Sequence, residues 1–279
     1  MYELMYMQEF SRVIDFHVHP PLDAEDKGVS PKSTAEELLD SMDKSGVSKA
    51  VILPVAPYIS NNYIYRIVEV EPRRLVGFAS VVPNPADRAV KELERAVSDL
   101  GLRGLKLHPG MQGFCLRSTH VWKVLRRAGE LGIPVIIHAL WMDESSLYFK
   151  SPYKPWENPL EDYALLPYIV PETILVYAHM GGLLHFKEVF NLATHRNVYL
   201  DTSYSIITIA REVGLERLAH YIKWLGAEKI LFGSDLVPGL TPEDLGPKKQ
   251  IELINRLPLS QEEKEKILIK NALQLMGTS

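Results

Sequence analysis

Cysteine is almost absent: Cys115 is the single one in 279 residues, so no internal disulfide can brace the fold and a packed core must hold it together. No apolar run reaches 18 residues, which speaks against a membrane span. There is no long basic run either, and a formal net charge of −4 argues against a polyanionic partner such as nucleic acid, leaving a small molecule as the expected partner. The opening "MYELMYMQEF" has neither the basic n-region nor the apolar h-region of a secretory signal, so the expected compartment is the cytoplasm. Gly/Ser linkers, low-complexity tracts and internal repeats are missing too, which leads to one domain over residues 1–279.

What is present is a rhythm. Short runs rich in Val, Ile and Leu recur as "RVIDFHVHP", "KAVILPVAP", "LVGFASVVP", "LRGLKLHPG", "IPVIIHAL", "TILVYAHMGG", "NVYLDTSYS" and "KILFGSDLVPG". They are near-continuously apolar, as strands covered on both faces are, and this implies parallel pairing. Amphipathic segments lie between them. Ser33 to Glu36 forms an S-x-x-E capping box ahead of Leu38, Leu39 and Met42, with Gly46 closing the helix. Val90, Leu93, Val97 and Leu100 repeat at helical spacing up to Gly101, and Val121, Val124, Leu125, Ala128 and Leu131 do so before Gly132. Two further helices are expected after Thr241-Pro242 and after Ser260, whose capping partner is Glu263. Strand–helix units in this number predict an α/β chain folded as a single (β/α)8 TIM barrel.

One connection is too long for a plain turn. "WMDESSLYFKSPYKPWENP", from Trp141 to Pro159, carries two of the four tryptophans and reads as a lid over the barrel mouth, with Trp141 as a substrate contact. An oligomer contact or simple cover for the barrel is the alternative.

Barrels of this class carry their chemistry at the C-terminal ends of the strands. Five of the nine histidines fall there: His17, His19, His108, His138 and His179. His120, His185, His195 and His220 fall in helices or loops and read as ordinary surface or packing residues. In "VIDFHVHP" regular alternation would send Asp15, His17 and His19 to one face and Phe16 and Val18 to the other. The same alternation groups Leu231, Gly233 and Asp235 on strand eight, and Gly104, Lys106 and His108 on strand four. Nitrogen and oxygen donors converging from strands one, five, six and eight suit a divalent ion, zinc first, with manganese, iron or cobalt as alternatives.

"DFHVHP", "GLKLHPG", "PVIIHA", "VYAHMGG" and "LFGSDLVPG", in that strand order, resemble the amidohydrolase superfamily. More narrowly they resemble its amidohydrolase-related branch, which includes aminocarboxymuconate-semialdehyde decarboxylase, the resorcylate-type decarboxylases and several lactone and ester hydrolases. The matches run from residue 13 to 240, and the closing "NALQLMG" also fits. The resemblance implies one divalent metal held by His17, His19, His138 and Asp235. His179 would be a catalytic histidine beside the metal, and in other branches it is itself a ligand. Asp235 would take a proton from metal-bound water and pass it to the leaving group, while His179 would stabilise an oxyanion or supply a proton.

Lys106 and His108 are read as groups that bind a substrate anion or support the ligands. The alternative is a carboxylated Lys106 bridging a second metal. Arg117 is a candidate clamp for a substrate carboxylate, Asp15 and Asp201 are expected to orient ligands or satisfy the barrel, and Cys115 is expected to be inert. The leading expectation is hydrolysis of a C–O or C–N bond in a small carboxylate-bearing substrate. Non-oxidative decarboxylation in the same site is the alternative, and the compact chain leans towards hydrolysis because the branch's decarboxylases tend to be longer. A metal-dependent DNase would put an acidic residue where this chain has "KLHP", and a barrel keeping a metal for stability alone would close its ligand set to water. Assembly into a homo-oligomer is left open.

Overall fold

The computed structural model describes residues 13–139 and 158–277, so the long aromatic connection and Trp141 lie outside the described residues. Eight parallel strands follow one another around a barrel: β1 (Val13–Val18), β2 (Val47–Ile52), β3 (Leu75–Gly77, resumed at Ala79–Ser80), β4 (Leu105–Leu107), β5 (Val135–Ile137), β6 (Leu175–Tyr177), β7 (Val198–Asp201) and β8 (Ile230–Leu231). At the break in β3, Phe78 N donates to Ile52 O at 3.0 Å and Ala79 N to Gly104 O at 2.7 Å. The circle closes between first and last strand, where Phe16 N donates to Phe232 O, Asp235 N to His17 O and His19 N to Leu236 O, each at 2.8 Å. The chain is a (β/α)8 barrel, as its rhythm predicts.

The register of β1 against β2 shifts twice, between Val13 and Ile14 and between Asp15 and Val18, and the expected alternation fails at the second. Pairing with β2 steps from Asp15–Ala50 to Val18–Ile52, three residues against two, which is a β-bulge. Because of it Phe16 packs edge-on against Phe78 inside the barrel, ring centroids 5.6 Å apart, while the very next side chain, His17, also reaches the interior and lies 3.1 Å from Lys106 Nζ. Asp15 keeps the register of Ala50 and accepts from His17 N at 3.1 Å and Ser234 N at 2.9 Å. It therefore satisfies donors around the bulge instead of sharing a face with the histidines.

The first described helix, Pro31–Ser45, starts before the expected box. Ser30 is its N-cap, accepting from Ser33 N at 3.0 Å, with Pro31 at the first helical position and Gly46 closing it at φ 75°. A proline with preset φ next to a serine acceptor fixes the start better than the internal Ser33 could. The helices Ala86–Ser98 and Thr119–Glu130 occupy the expected segments, and Ser260 with Glu263 forms the expected capping box.

Two apolar layers result. Outward-facing strand residues such as Val135, Leu175 and Leu200 pack under the helices with Leu93, Val124 and Ile222. Inside, Ile14, Phe16, Val51, Leu53, Phe78, Ile136, Val176 and Leu231 fill the barrel and meet Ala272, Leu275 and Met276 from the last helical segment. A Cβ on Gly104 would collide with the Phe78 ring, so that glycine makes room for this interior aromatic side chain. Among the described residues no helix is long and apolar enough to cross a membrane.

Candidate metal centre and active site

The strands end in polar residues that point into one space above the apolar filling. β1 supplies His17 and His19, β4 Lys106 and then His108, β5 His138, β6 His179, β7 Asp201 and β8 Asp235. Gly233 permits the approach of β8, since a Cβ there would lie 2.7 Å from His17 Cβ.

His17 Nδ1 donates to Asp201 Oδ2 at 2.8 Å and His19 Nδ1 donates to the Leu53 carbonyl at 2.6 Å. An oxygen that can only accept fixes the proton on Nδ1, so both rings present a lone pair at Nε2. Those two Nε2 atoms are 3.0 Å apart, and Asp235 Oδ1 lies 3.4 Å from His17 Nε2 and 3.5 Å from His19 Nε2. Lone pairs and a carboxylate oxygen directed at one point repel one another, and a cation at that point removes the conflict. His17, His179 and Asp235 also offer donor atoms that all lie within 4.8 Å of one another. The donor set thus fits a divalent ion of the nitrogen- and oxygen-seeking kind.

Burial strengthens the fit. It holds His17, His19, His108 and His138 well below the usual histidine range, with Lys106, His17 or His108 adding repulsion, and brings His179 to about 4 against the pull of Asp201. The imidazoles are therefore neutral near pH 7, the form that binds a metal. Lys106 is brought down to about 8 by burial, opposed by Asp201 and Asp235, and its Nζ lies 3.1 Å from His17 Nε2. Asp235, though 30% of its side chain is open at the mouth, is pushed up to about 7 by loss of hydration, with Lys106 opposing.

His138 enters through His179, whose Nε2 lies 3.0 Å from His138 Nδ1, and its ring stacks on His108 at 3.8 Å. The same inward space therefore holds every rim histidine expected from the sequence, together with Lys106. Arg117 is used elsewhere: 57% of its side chain is exposed, and it forms an ion pair with the buried Asp162, which also accepts from Cys115 Sγ at 3.6 Å.

Sequence reasoning missed Ser203. Its Oγ donates to Asp201 Oδ1, and His179 Nδ1 donates to both its Oγ at 3.0 Å and its carbonyl at 3.1 Å. The available signal was a serine two residues beyond the carboxylate that ends β7. Backbone strain gathers here as well. Among the described residues the non-glycine positions with positive φ are His179 (64°), Met180 (51°), Tyr204 (60°) and Asp235 (61°), all at the ends of β6, β7 and β8. Each such position costs about 1–3 kcal/mol and persists where surrounding contacts impose it.

Comparison with known proteins bears on the family and the fold. The amidohydrolase family profile matches residues 14–278. A 2-amino-3-carboxymuconate-6-semialdehyde decarboxylase from Dictyostelium discoideum is 24% identical over 250 residues, 81% of this chain and 67% of that protein. Among solved structures, 5-carboxyvanillate decarboxylase from Sphingomonas paucimobilis superposes with a TM-score of 0.68 at 16% identity, over 96% of this chain and 99% of that one. 4-Oxalomesaconate hydratase from Rhodopseudomonas palustris gives 0.69 at 20% identity over 95% of each chain.

Proposed function

The chain belongs to the amidohydrolase family, and from that membership we propose that it is a metal-dependent carboxy-lyase acting on a small unsaturated or aromatic carboxylate. The observation that carries this reading is the pair of Nε2 lone pairs on His17 and His19, 3.0 Å apart and faced by Asp235, with the buried Lys106 amine beside them. Such a site calls for a cation and, with Lys106 charged, attracts an anionic substrate. The decarboxylases among the relatives support the reading, and so does length. The 5-carboxyvanillate decarboxylase is matched over 99% of its chain, so compactness no longer favours hydrolysis.

The proposed ligands are His17, His19, His138 and Asp235. A divalent ion held there would supply Lewis acidity towards the substrate carboxylate and an adjacent oxygen. The protein's own groups do the rest. Lys106 balances negative charge, and His179, with its proton on Nδ1, accepts at Nε2 from a substrate hydroxyl. The bond from carbon to the carboxylate breaks, carbon dioxide leaves, and the electron pair left on carbon takes a proton that originates in solvent and is passed on by Asp235, whose side chain is partly open at the mouth.

Hydrolysis is the second reading, favoured by the open part of Asp235, where a water could be activated. The zinc- or manganese-loaded protein should be assayed against carboxylated phenols and carboxylated enoates, and in parallel against lactones. Carbon dioxide release with deuterium from D2O at the vacated carbon is expected. Lactone opening with solvent 18O in the product and no carbon dioxide would overturn the carboxy-lyase reading in favour of hydrolysis. No turnover of either class by metal-loaded protein would overturn both.

A further inference from the structure

The segment Asp201-Thr202-Ser203-Tyr204 at the end of β7 has features that binding a metal does not by itself require. Asp201 is completely buried and spends both carboxylate oxygens on the site: Oδ2 accepts from His17 Nδ1 at 2.8 Å, and Oδ1 accepts from His179 N and Ser203 N, each at 3.0 Å, and from Ser203 Oγ. Ser203, also completely buried, then receives His179 Nδ1 on both its hydroxyl and its carbonyl. The carbonyl is turned to that position by the next residue. Tyr204 has φ 60° and ψ −51°, and Ser205 N donates to Ser203 O at 2.6 Å. That is a three-residue turn of the rare, strained kind, here centred on a bulky side chain. Thr202 fastens the turn to β8, with its Oγ1 donating to Gly233 O at 3.0 Å and accepting from Gly233 N at 3.1 Å.

We propose that Ser203 is a positioning residue: with Asp201 and the strained turn at Tyr204 it locks His179 in the Nδ1–H tautomer, aims its Nε2 into the site, and ties its orientation to that of His17. The inference rests on His179 facing the reacting groups, as proposed above. The chemistry of the contacts requires this tautomer, since a carbonyl oxygen accepts only and the Ser203 hydroxyl proton is already given to Asp201. A ring bonded at one nitrogen by two acceptors loses rotational freedom, so its other nitrogen stays directed where it is needed. The strain at Tyr204 then has a local purpose, because it is what places the Ser203 carbonyl on the imidazole.

The test uses full-length protein labelled with 15N-histidine and loaded with zinc, which is diamagnetic. The His179 resonance is assigned by its disappearance in His179→Gln. Wild type should show Nδ1–H, protected from solvent exchange. Ser203→Ala leaves the backbone carbonyl as the remaining acceptor for Nδ1–H, so it should keep the tautomer but free the ring to rotate, giving faster exchange, and should lower kcat by about 10- to 100-fold with little change in KM, the loss usual when a partner of a metal-site histidine is removed. Ser203→Thr, which keeps the hydroxyl, should restore both signals. Tyr204→Gly, which adopts the turn without strain, should keep the tautomer. A Ser203→Ala protein with wild-type exchange and kcat would overturn the proposal, as would wild-type protein with the proton on Nε2. The expected tautomer pattern in a protein that turns over no carboxylate would support the relay while overturning the reaction proposed above, so the two failures remain distinguishable.

Discussion

At the lower end of the barrel Ile14, Phe16, Val51, Phe78 and Leu231 meet the last helical segment through Ala272, Leu275 and Met276, and dispersion and water exclusion account for their packing. At the upper end of the same strands Asp15, His17, Lys106, His108, His138, His179, Asp201 and Ser203 are equally buried yet polar, each satisfied by a specific partner. The strained non-glycine φ angles are found at the upper end. The difference teaches how one scaffold divides its work. The apolar end supplies stability, and the surplus holds polar groups in geometries they would not adopt alone.

This division can be broken by experiment. Phe78→Ala empties the interior filling and is expected to cost about 3–5 kcal/mol in denaturant unfolding, while the metal affinity of the protein that remains folded stays unchanged. A parallel loss of metal affinity would show that the two ends are coupled and the comparison wrong. Asp201→Asn should act at the other end. Its Oδ1 side must remain an acceptor for three donors, so the new amide faces His17 Nδ1 and drives the proton to Nε2. Zinc affinity by competitive chelation is expected to fall about 10- to 100-fold, with a smaller change in stability. Unaltered zinc affinity would remove Asp201 from the ligand-orienting role.

Smaller effects sharpen the contrast. Tyr204→Gly relieves a positive φ and should raise the unfolding free energy by about 1–2 kcal/mol. No gain would mean that the strain at the rim is already compensated by contacts of the tyrosine ring. Ser30→Ala removes the cap of the helix Pro31–Ser45, which supplies none of the rim ligands, and should cost about 1 kcal/mol with no change in metal affinity.

Much of this was legible in the residues themselves. Near-continuous apolar runs separated by capped amphipathic segments specify a parallel barrel, because period and punctuation are local properties. Histidines at the ends of those runs were legible as a group for the same reason, and the structure brings them into one space. Ser30 as the cap was legible as well, since Ser-Pro before an amphipathic run is a start signal, but the later S-x-x-E box competed with it. The bulge in β1 was not legible: it is a mismatch between the registers of β1 with β2 and β1 with β8, and neither register exists until the strands meet. Ser203 escaped notice because its partner His179 is 24 residues away, on the neighbouring strand. The role of Arg117 turned on Asp162, 45 residues further along, which no spacing rule links to it.

The sequence alone determined the fold class and the donors available at the barrel mouth, because alternation, capping and residue chemistry act over a few neighbouring positions. The tertiary structure decided which nitrogen His17, His19 and His179 present and which oxygen holds each ring, and it also decided where backbone strain is stored. Those properties depend on distances of about 3 Å between strands, which only the closed barrel creates.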